Sequence, residues 1–273
     1  MTNLSSRSNP KIKQIRALLQ QRKARRETGL FVAEGIRHVG EAVQAGARLE
    51  YLCYAPERLS SEFAVRLIEE QSGAGVPCLA VTAEVFADLA EKDNPPGILA
   101  VVRQPNLKLE QLNPDSAAWL VALVAPQDPG NIGTILRTID AVGANGLLLL
   151  EQSADPYHPS AVRASMGTIF WYPVVQASFT EFASWAARHN ITIYGTSAHA
   201  SRNYRQVDEY RLPRILLMGS ERQGLTTEQM AACDELLSLP MKGHATSLNL
   251  AVATGVILYA MLGLPGGVAP IDH

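Results

Sequence analysis

The sequence lacks the short motifs that mark common nucleotide-dependent and metal-dependent enzymes. No G-x-G-x-x-G follows a predicted strand, and neither G-x-x-x-x-G-K-[ST] nor H-E-x-x-H occurs. A nicotinamide enzyme or a P-loop enzyme would normally carry one of the two glycine-rich patterns. The six histidines are scattered without metal-ligand spacing. The sequence therefore predicts no metal site and argues against both enzyme classes.

Cysteines and long apolar runs are also scarce. Cys53, Cys78 and Cys233 form no C-x-x-C pair, and an odd, scattered set fits a reducing compartment. The N-terminus has no apolar core segment of the kind that a signal peptide needs. The longest charge-free apolar stretch, residues 248–264, contains polar and glycine positions and falls short of the roughly 18 apolar residues of a membrane span. We expect a cytoplasmic, soluble protein with no membrane partner.

Positive charge is concentrated at one end of the chain. The net charge is −2, but residues 1–30 contain eight basic side chains and one acid, a net charge of +7. The basic residues are Arg7, Lys11, Lys13, Arg16, Arg22, Lys23, Arg25 and Arg26. Such a segment is typical of a protein that binds a polyanion, because phosphate contacts release counterions. A solvated helix face would carry the same charges, and both interpretations stay open.

The length of 273 residues favours two domains. In the first half, apolar runs predict strands at 30–33, 50–54, 77–81 and 98–102. Helical periodicity predicts helices at 11–21, 35–45, 61–71 and 83–91. This alternation predicts an α/β sandwich over residues 1–103. Residues 104–117, which are rich in proline and polar residues, are predicted to be the linker.

The second half, residues 118–273, opens with an uninterrupted apolar run at 119–124 that is typical of a buried parallel strand. Further strands are predicted at 146–150, 172–176, 191–195, 214–218 and 235–239. Helices are predicted at 130–142, 159–166, 179–189, 226–231 and 247–262. The pattern indicates a mostly parallel sheet with helices on both faces. Ligands of such sheets bind beyond the carboxyl ends of the strands.

Three segments of the second half combine polar residues with the start or end of a predicted element. In the first, Asn131 opens a helix and Arg137 lies off its apolar stripe. Both side chains could face a cleft, although a helix N-cap and an exposed arginine are the favoured explanation from this segment alone. In the second, residues 216–225, a strand runs into a turn that contains Glu221 between two glycines. Glycine there lets a ligand approach the backbone, but an ordinary turn is an equal alternative.

The third segment, residues 239–249, is a polar loop that leads into an apolar helix. Ser247 fits an N-cap, which would be a sufficient structural explanation. Ser247 and Asn249 are also polar groups at the mouth of an apolar element, a placement that suits a binding site.

The order and spacing of the three segments resemble the three motifs of the SpoU (TrmH) family within the SPOUT superfamily. The motifs read Asn131-x-Gly133-x-x-x-Arg137, then Gly219-Ser220-Glu221-x-x-Gly224-Leu225, then Pro240-Met241-x-Gly243-x-x-x-Ser247-Leu248-Asn249. Residues 155–159 and 163–167 resemble the loop after the family's second strand. Residues 9–26 and 31–35 resemble the ribosomal-protein-like substrate-binding domain that often precedes the catalytic domain.

The resemblance implies a methyltransferase that uses S-adenosylmethionine, without a metal, to methylate a ribose 2′-hydroxyl of ribosomal RNA, or of transfer RNA. It implies a deep trefoil knot in the C-terminal domain and a homodimer with each active site near the interface. The catalytic residues it implies are Asn131, Arg137, Glu221, Ser247 and Asn249. The cofactor-binding residues are Thr196, Gly219, Leu239, Met241 and Leu248. The candidates for RNA binding are Arg7, Lys11, Lys13, Arg22, Lys23, Arg25, Arg26 and Arg163.

Three other functions are compatible with parts of the sequence. A binding protein that kept the fold and lost catalysis would lack Asn131, Arg137 or Ser247, all of which are present. Methyltransferases of other SPOUT branches that act on a nucleobase lack the combination of these residues with Ser247-Leu248-Asn249. An unrelated metabolic α/β enzyme would leave the basic segment without a purpose.

Overall fold

The computed structural model describes residues 6–89 and 97–263. Its chain divides into two compact units. The first contains the described residues up to 106 together with Asp155–Trp171, and the second contains Leu107–Ala154 and the described residues from 172 onward.

These units differ at two places from the predicted division into domains. Most of the predicted linker belongs to the second unit, because Leu109 and Leu112 are buried in its core. Asp155–Trp171, predicted within the second domain, belongs to the first unit, where the Tyr157 ring packs 4.7 Å from the ring of Phe31. The assignment of a substrate-binding and a catalytic domain stays a prediction.

The first half of the chain alternates helices and strands, as predicted. Its elements are α1 (Pro10–Gln20), α2 (Arg22–Thr28), β1 (Leu30–Glu34), α3 (Ile36–Gln44), β2 (Leu49–Tyr54), α4 (Glu62–Gly73), β3 (Cys78–Ala80), α5 (Ala83–Ala87) and β4 (Ile98–Arg103). Helical periodicity does not predict α2, because its charged residues form no apolar stripe. The last two residues of the helix predicted at 83–91 lie outside the described residues.

The strands of the first unit form one sheet in the order β1-β4-β2-β3. β4 pairs antiparallel with both neighbours, and β2 pairs parallel with β3. The predicted stripe of α1 packs into the core of this unit, since Ile12, Ile15 and Leu18 are fully buried.

The second half follows a similar alternation. Its elements are β5 (Trp119–Val124), α6 (Pro129–Val142), β6 (Gly146–Leu150), α7 (Pro159–Ser165), β7 (Val174–Ala177), α8 (Phe179–Arg188), β8 (Thr192–Thr196), β9 (Arg202–Asn203), β10 (Arg214–Met218), α9 (Thr227–Ala231), β11 (Glu235–Ser238) and α10 (Leu250–Met261). All of them except α7 belong to the second unit.

The second unit is built on a seven-stranded sheet in the order β7-β6-β5-β10-β8-β11-β9. Every pair of neighbours in it is parallel, which confirms the predicted mostly parallel sheet. The strand order reverses direction at β5 and β10, the kind of point where ligands of parallel sheets bind. The trefoil knot implied by the resemblance stays a prediction.

Two predicted helix caps are wrong. α6 begins at Pro129, and its N-cap is Asp128, whose carboxylate accepts from the Gly130 amide at 2.8 Å. Proline suits the first helical position because its missing N–H would find no helical partner there. α10 begins at Leu250, and Asn249 caps it in place of Ser247. Neither Asn131 nor Ser247 therefore has a capping role.

Candidate active site

The predicted cofactor residues gather at one edge of the second sheet. Thr196 ends β8, Gly219 follows β10 and Leu239 follows β11. The three strands are parallel neighbours, so their carboxyl ends meet at the same edge. Thr196 lies opposite Leu237 in the β8–β11 pair, and its hydroxyl donates to the Leu217 carbonyl of β10 at 3.4 Å.

Gly219 lies where two stretches of backbone approach closely. The next residue, Ser220, exchanges two main-chain hydrogen bonds with Gly224, at 3.1 and 2.9 Å, which closes a tight turn. A Cβ atom on Gly219 would lie within 2.7 Å of the Gly224 Cα, too close for any real side chain. The turn therefore requires glycine at this position.

Three predicted catalytic side chains form one hydrogen-bonded chain. The Asn131 side-chain nitrogen donates to Glu221 Oε1 at 3.2 Å, and the Asn249 side-chain nitrogen donates to Asn131 Oδ1 at 3.0 Å. The Asn249 side-chain oxygen in turn accepts from the amides of Ala251 and Val252 at the start of α10. The structure thus connects the turn after β10 to the first turns of α6 and α10.

The chain fixes the orientation of the Asn131 amide. An ionised carboxylate only accepts hydrogen bonds, so the nitrogen of the amide must face Glu221 and its oxygen must face Asn249. Asn131 is 7% exposed, and a hydrogen bond to a charged group is stronger than one between neutral groups. With both polar atoms engaged, Asn131 holds its neighbours in place.

Gln127 is a member of this site that the sequence analysis missed. Its main-chain amide donates to Glu221 Oε2 at 3.2 Å. Because the contact is made by the backbone, no property of the glutamine side chain could have indicated it. Its effect is to hold the Glu221 carboxylate beside the loop that follows β5.

Arg137 is exposed and stands apart from this polar chain. Within the part of the chain that the structure describes, its guanidinium forms no hydrogen bond and no ion pair. The structure therefore does not bring Arg137 into contact with Asn131, Glu221 or Asn249. Its five donors are available to a substrate that carries phosphate or ribose oxygens.

Ser247, Met241 and Leu248 lie in the segment between β11 and α10. Residues 240–249 are all exposed and have no regular secondary structure. Two of them, Met241 and Leu248, are large apolar side chains on the surface. The segment begins at the edge where Thr196 and Gly219 lie and ends at the Asn249 cap.

Arg25 is a correction to the predicted RNA-binding set. Its side chain is only 2% exposed. Its Nε donates to Asp155 Oδ2 at 2.7 Å, and Nη1 donates to the Leu18 carbonyl at 2.6 Å and to the Leu19 carbonyl at 3.3 Å. An arginine whose donors are engaged inside the protein cannot reach a phosphate, so Arg25 is structural.

The other basic candidates lie at the surface of the first unit. Arg7 pairs with Asp88 at 2.5 Å, and Lys23 pairs with Glu27 at 3.8 Å. The Lys11 Nζ atom lies over the Tyr51 ring, 4.3 Å from the ring centroid. Exposed ion pairs are weak, so these side chains remain free to exchange partners for phosphate. Lys13, Arg22 and Arg26 are exposed and Arg163 is half-buried.

The cysteines do not supply a nucleophile. Burial raises the pKa of the Cys53 thiol to about 12, and burial together with Asp234 raises that of Cys233 to about 12. Burial also raises the pKa of Cys78. The thiolate is the reactive form, and all three groups stay protonated near neutral pH.

Residues 6–89 and 97–263 offer neither a metal site nor a membrane span. No group of three or more histidine, cysteine, aspartate or glutamate side chains has an arrangement that could hold a metal ion. No helix in these ranges is both long enough and apolar enough to cross a membrane.

Two family models match the sequence, and their spans follow its two halves. The model of the SpoU rRNA Methylase family matches residues 118–259. The model of the MRM3-like substrate binding domain matches residues 9–100.

Curated relatives resemble nearly the full length of the chain. A 23S rRNA (uridine(2479)-2′-O)-methyltransferase of Streptomyces viridochromogenes is 34% identical over 92% of this chain and 88% of its own. The 23S rRNA (guanosine(2553)-2′-O)-methyltransferase RlmP of Bacillus subtilis is 28% identical over 96% of this chain and 100% of its own. Among solved structures, an AdoMet-bound rRNA methyltransferase of Sinorhizobium meliloti superposes with a TM-score of 0.87. It is 35% identical and covers 95% of this chain and 97% of its own.

Proposed function

The chain belongs to the SpoU rRNA methylase family, and we propose that it methylates a ribose 2′-hydroxyl of ribosomal RNA with S-adenosylmethionine as the methyl donor. The observation that carries this proposal is the hydrogen-bonded chain from Glu221 through Asn131 to Asn249. It joins all three sequence motifs at the carboxyl edge of a parallel sheet. The relatives of nearly equal length are named as 23S rRNA 2′-O-methyltransferases.

The residues at this edge fit the cofactor. Gly219 is required by the turn that follows β10, because a side chain there would collide with the Gly224 backbone. This tight turn keeps main-chain groups at the edge of the sheet in a fixed position. Thr196 ends β8, and Leu239 directly follows the neighbouring strand β11. The exposed Met241 and Leu248 side chains would cover the apolar parts of the ligand. We propose that these five residues hold S-adenosylmethionine, whose sulfonium supplies the activated methyl group.

Arg137 is the residue that we propose acts on the RNA. A guanidinium hardly deprotonates in proteins, so it is a poor general base. It is well suited to stabilise the negative charge that develops on the attacking ribose oxygen, or to grip the adjacent phosphate with two parallel hydrogen bonds. Its exposure and its lack of partners among the described residues leave it available for this role.

Asn131, Glu221 and Asn249 act as a positioning unit in this proposal. Glu221 fixes the turn that follows Gly219, and Asn249 fixes the start of α10 next to the loop of Met241 and Leu248. A displacement of reacting groups by about 1 Å can cost about a hundredfold in rate. The unit therefore contributes by fixing the loop of Met241 and Leu248 relative to α6, the helix that carries Arg137. Ser247, exposed in the same loop, is proposed as a further contact of the ribose.

The exposed basic side chains of the first unit favour a large RNA as the substrate. Lys13, Arg22 and Arg26 are exposed, and the ion pairs of Arg7 and Lys23 are surface contacts. With Lys11 and Arg163, these residues are proposed to contact phosphates of the RNA. A separate binding unit suits a large folded target, so we favour ribosomal RNA over transfer RNA.

We further propose that the protein is a homodimer and that α10 forms the interface. Val252, Val256 and Tyr259 recur at helical spacing and are exposed, Val252 and Tyr259 each by 53%, so they form one apolar stripe. A contiguous apolar stripe at the surface is typical of an interaction site. Because Asn249 caps this helix, such an interface would lie beside the proposed active site.

We also propose that the protein works in the cytoplasm. All three cysteines are free thiols, which is usual in a reducing compartment. An RNA substrate is consistent with the same location.

The proposal is tested by incubating the protein with methyl-labelled S-adenosylmethionine and unmodified RNA. Separate reactions contain 23S rRNA, 16S rRNA and bulk transfer RNA. We expect label in 23S rRNA and background levels in the other two. Labelling of transfer RNA equal to or greater than that of 23S rRNA would overturn the proposed substrate. The absence of label in every RNA would overturn the proposed activity.

A further inference from the structure

A cavity of about 170 Å³ lies within the first unit. Its walls come from the end of α1, the end of β1, the first turn of α3, and α7. Gly35 connects β1 to α3 with a φ of 102°, a conformation that favours glycine. None of the proposed cofactor residues lines it.

The floor of the cavity is apolar. Leu19, Val32 and Val162 are buried side chains that line it. Sites for drug-sized ligands usually exceed about 300 Å³, so this cavity is too small for a whole cofactor and suits a single flat ring system. An apolar floor favours the face of a ring over a hydrated ion.

The mouth of the cavity is basic. Arg37 is exposed, and His38 and Arg163 are half-buried, against one acid, Glu34. His38 Nε2 lies 3.4 Å from the Arg163 carbonyl oxygen, which joins α3 to α7. A ring ligand that also carries a negative group would satisfy both parts of this site.

One wall of the cavity lies close in sequence to the most basic segment of the chain. Leu19, one of its lining residues, precedes Arg22, Lys23 and Arg26 by only three to seven positions. A phosphate backbone that binds this segment is the source of ligand that we consider for the cavity. The ligand that combines a flat ring with a phosphate of such a backbone is a nucleotide.

We propose that this cavity holds one unpaired nucleotide of the RNA substrate, with its base against Val32 and Val162 and its phosphate at Arg37. Proteins read RNA chiefly through unpaired bases that leave the stack and enter protein sites. The inference rests on the proposed function, because an RNA substrate supplies the nucleotide. It adds an anchor point that is separate from the methylated ribose.

The first test measures nucleotide binding directly in the full chain by histidine side-chain NMR, with a His38→Gln variant to assign the signal of His38. The ligands are uridine 5′-monophosphate, uridine and inorganic phosphate. We expect the monophosphate to shift the His38 signal at a concentration at least about tenfold lower than either fragment. No shift with the monophosphate, or an equal response to phosphate alone, would overturn the proposal.

The second test measures RNA affinity against salt concentration for wild type, Arg37→Ala and the control Arg48→Ala. Arg48 is an exposed arginine of the same unit that does not line the cavity. Losing one phosphate contact lowers the salt slope by about one, and we expect this for Arg37→Ala alone. Cofactor affinity should be equal in all three proteins.

The outcomes separate the two proposals. If wild type bound no RNA, the proposed function itself would fail. If wild type bound RNA and Arg37→Ala kept its salt slope, only the nucleotide site would fail.

Discussion

The side-chain N–H of Asn249 donates to the side-chain oxygen Oδ1 of Asn131 at 3.0 Å, although 118 positions separate the two residues in sequence. The contact ties the first turn of α6 to the N-cap of α10. Asn249 therefore has two structural roles: its oxygen caps a helix, and its nitrogen positions Asn131.

Two substitutions separate these roles. Aspartate at position 249 keeps an oxygen for the cap and loses the donor, whereas alanine loses both. We expect Asn249→Asp to be more stable than Asn249→Ala by about 1 kcal/mol, the usual value of an N-cap. Both variants should lose roughly a hundredfold in kcat, because both release Asn131. Chemical denaturation measures the stability, and steady-state methylation kinetics measure kcat. An Asn249→Asp variant with wild-type kcat would show that only the cap matters.

Gly219→Ala should damage the cofactor site. Its Cβ would collide with the backbone of Gly224, so the turn that carries Glu221 must open. We expect a loss of about 1–3 kcal/mol in the free energy of unfolding and at least about a tenfold loss in S-adenosylmethionine affinity by calorimetry.

Gly243→Ala is the matched control for that substitution. Gly243 lies in the loop before α10, and a Cβ there would meet nothing within 4 Å. We expect its stability to stay within about 0.5 kcal/mol of wild type. Equal cofactor affinities for the two alanine variants would contradict the proposed role of Gly219.

Arg25 and Arg26 are neighbours in sequence with opposite expected effects. Arg25→Ala leaves Asp155 without its partner and two carbonyls without a donor, so we expect a loss of about 3–5 kcal/mol in stability. Arg26 is exposed, and Arg26→Ala should change stability by less than about 0.5 kcal/mol while it weakens RNA binding. Thermal unfolding and RNA titration distinguish the two. A stable Arg25→Ala variant with weakened RNA binding would restore Arg25 to the RNA-binding set.

The apolar stripe of α10 gives a prediction about assembly. Val252→Glu places a charge within the proposed interface, and we expect it to convert a dimer to a monomer in sedimentation at micromolar concentration. The control, Ala231→Glu, places the same charge on the exposed end of α9 and should remain dimeric. A wild-type protein that sediments as a monomer would contradict the proposed dimer and its interface on α10.

Local sequence patterns were enough to predict most elements of the fold. The run Trp119–Val124 has six apolar residues and is a fully buried strand with the predicted bounds. In contrast, α2 consists mainly of charged residues, and its stability comes from the buried contacts of Arg25, which no periodicity reveals. α6 begins at Pro129 with Asp128 as its N-cap, one residue earlier than the predicted start, because proline is well suited to the first position of a helix.

Long-range relations were harder to predict from single residues. The Asn131, Glu221 and Asn249 side chains were each compatible with an ordinary cap or turn, and the family resemblance, through the order of its three motifs, was what grouped them. The contact of Arg25 with Asp155 joins positions 130 apart, and nothing local predicts that Asp155–Trp171 joins the first unit. Gln127 contributes only a backbone amide, to which its side-chain type gives no clue.

The most direct test of the central claim is alkaline digestion of RNA labelled by the wild-type protein and by Arg137→Ala and Arg137→Lys. A 2′-O-methyl group removes the nucleophile that alkaline cleavage needs, so the label should survive in dinucleotides. The account predicts such dinucleotides with wild type, none above background with Arg137→Ala, and a loss with Arg137→Lys, because lysine lacks the planar fork. Label released as mononucleotides would mean methylation of a base and would contradict the ribose mechanism.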